Sequence, residues 1–219
     1  MKKKFLIISD QYPPFIGSAS KLIHEFAINL KKRNFDVTVL TTNLERESQK
    51  KNHIDKSTSI KVIKITTLFQ KSRLYVLRGI FSLLSSLQLY LKIFGKKYDY
   101  IFIYSPPLAF GLTGILIKLF SRGKVILNVQ DLFPQNAIDL GILRNKLGIK
   151  FFYFLEKLIY RNMDLITFHS KGNLDFSLTK YNFLKNKSLV MHNWIDFGGN
   201  PRRNDFFRRK HLLENMKIF

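Results

Sequence analysis

Short apolar runs alternate with longer stretches of helical spacing along this chain. Residues 4–9, 35–41, 60–65, 99–104, 124–129, 164–169 and 188–191 read as strands, rich in β-branched and aromatic residues. Between the first two, 18–32 places Leu22, Ile23, Phe26, Ala27 and Leu30 at helical intervals. The spacing also predicts helices over 73–94, 108–120, 146–161 and 172–181. Residues 42–59 are polar, charged and aperiodic, which predicts a long loop. Strands that alternate with helices require crossover connections. The expected class is therefore α/β, with a doubly wound parallel sheet. Runs such as Ile101-Phe102-Ile103 do not alternate with polar residues, as expected of strands covered on both faces.

The pattern changes after Asp196. Residues 198–205 have a linker composition, a short helix is expected around 205–213, and 216–219 read as the start of a further strand. The expected division is a first domain over residues 1–196, with a linker and the start of a second domain over 197–219.

Composition narrows the class. The chain has 219 residues, 46% of them hydrophobic and 14% aromatic, too apolar for a disordered basic tail. It has no cysteine, which excludes disulfides, thiolate metal sites and Cys nucleophiles. The net charge of +22 fits nucleic acid, an anionic membrane face, or the codon bias of an AT-rich genome. The four apolar residues Phe5 to Ile8 are too few for a signal peptide. The 18 uncharged residues of 100–117 reach membrane-spanning length, but Ser105-Pro106-Pro107 interrupts them, so strand, turn and helix is the reading.

In an open parallel sheet, ligands bind beyond the carboxyl ends of the strands, so the loops there matter most. The first runs Asp10-Gln11-Tyr12-Pro13-Pro14-Phe15-Ile16-Gly17-Ser18. Gly17 and Ser18 are either a turn and helix cap or a backbone cradle for an anion at the helix start. The loop lacks both the Gly-x-Gly-x-x-Gly fingerprint and the Walker A pattern. In the next, Tyr104-Ser105-Pro106-Pro107, Ser105 is a turn residue or a cleft contact. Asp131, in Gln130-Asp131-Leu132-Phe133-Pro134, caps the following helix, binds a hydroxyl, or acts as an acid/base group. Ser170, in His169-Ser170-Lys171-Gly172, is an N-cap or a ligand contact. The last of these loops is His192-Asn193-Trp194-Ile195-Asp196, with the only Trp. No His, Asp and Glu set has ligand spacing, so no protein-bound metal is expected.

Two helices stand apart. Tyr75, Leu77, Ile80, Phe81, Leu84, Leu87 and Leu91 give a broad apolar face between cationic ends, and Phe151, Phe152, Phe154, Leu155, Leu158 and Ile159 do the same near Lys146, Lys150, Lys157 and Arg161. Each either covers the sheet or lies in a membrane interface. Aromatic and basic residues together also suit single-stranded nucleic acid, but no nucleic-acid-binding motif accompanies them.

In order, Ser9-Asp10-Gln11-Tyr12-Pro13-Pro14, Gly17-Ser18-Ala19-Ser20, Ser105-Pro106-Pro107, Gln130-Asp131-Leu132-Phe133-Pro134, Ser170-Lys171-Gly172 and Asn193-Trp194-Ile195-Asp196 resemble the N-terminal half of a family 4 glycosyltransferase. The subgroup resembled is the bacterial one of colanic-acid, capsule and O-antigen synthesis. The resemblance implies a Rossmann-like N-terminal domain of a GT-B enzyme, with the C-terminal Rossmann domain, which grips the donor, missing from this sequence. It implies retaining, metal-independent transfer of a hexosyl-type sugar from a nucleotide sugar to a lipid-linked saccharide, with no cofactor. Gly17 and Ser18 are then the loop at the donor diphosphate and sugar. Ser105, Asp131, Ser170 and Asn193 become acceptor or cleft contacts, with Asp131 the catalytic candidate. The expected location is cytoplasmic, peripheral on the anionic inner face of the membrane. A chain of this extent is expected not to transfer sugar alone. The alternative is a basic non-catalytic module that binds nucleic acid or membrane; specific nucleic-acid recognition is not expected.

Overall fold

The computed structural model describes residues 2–43, 52–55, 58–66, 75–194 and 206–211. Eight strands form one sheet in the order β3-β4-β2-β1-β5-β6-β7-β8. They are β1 (Lys4–Ser9), β2 (Asp36–Asn43), β3 (Asn52–Asp55), β4 (Ile60–Thr66), β5 (Tyr100–Ser105), β6 (Lys124–Val129), β7 (Leu165–Phe168) and β8 (Ser188–Val190). All neighbours pair in parallel except β3, which runs antiparallel to β4 with His53 opposite Val62. The helices are α1 (Ser18–Lys32), α2 (Tyr75–Ile93), α3 (Phe110–Phe120), α4 (Gln135–Asp139), α5 (Lys146–Asn162), α6 (Lys171–Lys180) and α7 (Phe206–Lys210).

The sheet is doubly wound. Phe5 and Ile7 of β1, Val39 of β2 and Phe102 of β5 pack with Ile23 and Ala27 of α1 on one face. Leu6 and Ile8, one residue along, pack on the other face with residues of α2, α3 and α5. That alternation is the two-residue period of a strand, and both faces are apolar because both are covered. Helix α3 sits low on the sheet, since a Cβ at Gly114 would lie 2.8 Å from Ile103 Cδ1 and 2.9 Å from Val125 Cγ1.

Two expectations are corrected. The loop expected over 42–59 contains β3, and β2 reaches Asn43. A four-residue edge strand with a single apolar residue, Ile54, has no hydrophobic rhythm to announce it. The loop after β6 contains α4, a single short helical turn beginning after Pro134. The linker of 198–205, the strand start of 216–219 and the boundary at 196 lie outside the described residues. No helix among the described residues is long and apolar enough to cross a membrane.

Candidate functional site

Topology brings the predicted loops to one edge. The carboxyl ends of β1, β5, β6 and β7 are adjacent in the sheet. At about 4.8 Å per strand, β1 and β7 lie roughly 14 Å apart, the scale of a short saccharide. Gly17 and Ser18 stand above β1, Ser105 ends β5, Asp131 follows β6, and Ser170 follows β7. Asn193 lies beyond β8 and is exposed.

The first loop is held from below. Ser9 Oγ donates to the main-chain O of Gln11 at 3.0 Å, and Thr42 Oγ1 donates to that of Asp10 at 3.1 Å. The N-cap of α1 is Gly17, in extended backbone, with no side-chain cap. Ser18 is therefore the first helical residue, and its hydroxyl is exposed rather than capping. A Cβ at Gly17 would meet Gln11 Oε1 at 2.7 Å and the Phe15 ring at 3.0 Å, so the loop closes tightly there. The first-turn N–H groups carry the positive end of the helix dipole, and the turn has no acid.

Asp131 is exposed. The N-cap of α4 is Pro134, with no side-chain cap, so Asp131 is not the cap of the next helix. Its main-chain carbonyl accepts from Phe133 N at 3.0 Å. Under it runs a buried chain of amides. Gln130 Nε2 donates to Asn128 Oδ1 at 2.7 Å, and Asn128 Nδ2 donates to Thr167 Oγ1 at 2.8 Å. This chain ties β6 to β7, and satisfied buried networks of this kind fix geometry.

Ser105 is buried in the sheet, and its carbonyl accepts from Gln130 N at 3.0 Å. Ser170 is the N-cap of α6, accepting from Asn173 N at 3.2 Å. The neighbouring His169 Nδ1 lies 3.2 Å from Asn173 Nδ2, and its carbonyl lies 3.0 Å from His192 Nδ1. Residues 191–194 then fold over the α1 side of the sheet, where Trp194 packs on Phe26 with ring centroids 5.2 Å apart. Asp196 lies outside the described residues.

The site also contains a group not singled out from sequence. Burial pushes the Asp10 carboxyl up to about 6, against the opposing effect of its own main-chain N–H. Tyr104 is pushed up to about 12, first by burial and then by the Asp10 and Asp131 carboxylates. Two acids thus flank one buried phenol at adjacent strand ends. A charged residue directly after the first strand is the signal that points to Asp10. No cluster of three or more potential metal ligands occurs among the described residues.

The fold is shared with known proteins. The chain resembles sucrose-phosphate synthase from Thermosynechococcus elongatus, with TM-score 0.60 and 11% identity over 87% of this chain and 48% of that one. It resembles the E. coli trehalose-6-phosphate protein bound with UDP-2-fluoro glucose, with TM-score 0.61 and 14% identity over 97% and 55%. A UDP-N-acetylglucosamine 2-epimerase scores 0.57 at 14% identity, over 92% and 53%. These likenesses show a Rossmann-like fold of the GT-B type, and the chain spans about half the length of each. No curated protein matches significantly. The model of one family, described as Glycosyltransferase Family 4, covers residues 19–198, and the chain belongs to that family.

Proposed function

We propose that this chain forms the acceptor-side domain of a retaining, metal-independent glycosyltransferase. The transfer runs from a nucleotide sugar to a lipid-linked saccharide, in building a cell-surface polysaccharide on the cytoplasmic side of the membrane. The observation that carries the reading is the convergence of Gly17, Ser18, Asp10 and Asp131 on one sheet edge, in a chain whose family match begins directly after Ser18 and takes in Asp131.

Each group has a part. Asp131, exposed and free of a capping role, accepts a hydrogen bond from the acceptor hydroxyl and orients its oxygen. That oxygen forms the new bond to the sugar as the bond to the leaving diphosphate breaks, and its proton passes to the departing diphosphate oxygen. The N–H groups at Gly17 and Ser18 face the charge that develops on the diphosphate. Asp10 ionises near pH 6 and then adds a second acceptor for sugar hydroxyls. Ser170 and Asn193 bound the far side of the groove. Ser105 supports the floor through its carbonyl rather than reaching the ligand.

The test uses farnesyl-diphosphate-linked N-acetylglucosamine as the probe, with binding followed by thermophoresis. Saturable binding is expected, weakened about tenfold in Asp131→Asn, or ~1.4 kcal/mol. No saturable binding, or an affinity in Asp131→Asn equal to that of the parent, would overturn the reading.

A further inference from the structure

The helices on the broader-covered side of the sheet have a second apolar face. On α5, Leu155 and Ile159 are buried in the core, while Leu147, Phe151, Phe154 and Leu158 point outward, with Phe154 62% exposed. Their spacing of four, three and four residues makes one stripe along the helix. The same holds for α2, where Leu87 and Leu91 are exposed and Phe94, directly after the helix, meets the exposed Phe120 of α3 at 6.2 Å between ring centroids. Packing of α2 on α3 and of α3 on α5 puts these stripes on one helical layer.

The charge on this layer has one sign. Lys146, Lys150, Lys157 and Arg161 are exposed, each adjacent in sequence or within one turn of the α5 stripe. Helices α2, α3 and α5 together contain a single carboxylate, Glu156. It is 3% exposed and accepts from Tyr181 Oη at 2.7 Å, so it does not reach the outer surface.

We infer that the outer face of α5, continued by α2 and the end of α3, docks on an anionic lipid bilayer. The complementarity carries the choice of occupant. Apolar side chains enter the headgroup boundary, and flanking lysines reach phosphates with their stems along the same surface. A protein partner is the poorer fit, because interface cores are depleted of lysine. The inference deepens the proposed function, because a lipid-linked acceptor is met at a bilayer. Helix α5 follows the β6 loop, so its first turn lies at the sheet end that carries Asp131.

The test is co-sedimentation of the 219-residue protein with phosphatidylcholine vesicles, with and without phosphatidylglycerol. Binding is expected to be at least tenfold stronger on the anionic vesicles. The exposed double variants Lys150→Glu/Lys157→Glu and Phe151→Ser/Phe154→Ser should each weaken it about tenfold. Lys32→Glu/Arg33→Glu, on α1 across the sheet, should leave it within about twofold. In Phe154→Trp, the added emission should shift blue on anionic vesicles. Equal binding to neutral vesicles would overturn the inference. So would a self-association that Phe151→Ser/Phe154→Ser abolishes, or binding of an oligonucleotide in place of vesicles. Asp131→Asn should leave vesicle binding intact, so failure here and failure of acceptor binding are separate results.

Discussion

Trp194 Nε1 donates to the main-chain O of Leu22 at 2.9 Å, joining positions 172 residues apart. The bond ties the segment after the last strand to the helix that follows the first. Trp194→Phe keeps most of the packing on Phe26 and loses this bond, at a cost of about 1 kcal/mol. Trp194→Ala should cost roughly 3 kcal/mol. Urea unfolding monitored by circular dichroism gives both values, and equal midpoints for Trp194→Phe and the parent would show the bond to be neutral.

Asp10 makes stability depend on pH. Its folded carboxyl titrates near 6 instead of 3.8, so between these values the folded state holds more protons than the unfolded one. Stability from this group is therefore fully present below about pH 4 and lost as pH rises through 6. Asp10→Asn removes that slope and stabilises the fold at pH 7 by up to about 3 kcal/mol, less what solvent screening takes away. Denaturation midpoints from pH 4 to 7, for both proteins, check it. Parallel profiles would contradict the placement of Asp10.

Glu156 is the buried acid that joins α5 to the end of α6. Burial raises its pKa, opposed by the Tyr181 hydroxyl and by Lys180, whose ammonium lies 3.7 Å from the carboxylate and 3.6 Å from the Tyr153 ring centroid. Glu156→Ala strands both partners and should cost about 3 kcal/mol. Glu156→Gln keeps an acceptor for Tyr181 and should cost roughly half as much. A thermal scan of the pair decides the ordering.

The close approach of α3 to α5 depends on Gly111. A methyl group there would run into Ile159, which is fully buried. Gly111→Ala should cost roughly 1–3 kcal/mol by overpacking. Adding Ile159→Ala should cost less than the sum of the two single changes, because the neighbours share one space.

The elements that carry most burial were legible. Helix α1 and strands β1 and β6 have the expected bounds, because continuous apolar runs and the 3.6-residue period leave one solution. Strand β3 and helix α4 were not, since a four-residue strand with one apolar residue, Ile54, and a single helical turn have no period. The loops of the site were legible as the segments after parallel strands. Asp10 was not, because its burial arises only once the chain is folded around the carboxyl end of β1. The outer stripe of α5 was half legible. Its apolar width could be counted, but which sector faced Ile166 and Phe168 of β7 and which faced water depends on how the helix is rotated on the sheet.

The most direct test of the central claim is amide NMR mapping with farnesyl-diphosphate-linked N-acetylglucosamine. The account predicts the largest shifts at Asp10, Gly17, Ser18, Asp131 and Ser170, at the carboxyl edge of the sheet. Shifts confined to the opposite edge, at residues such as Asp36, Asp99 and Asp164, would contradict it.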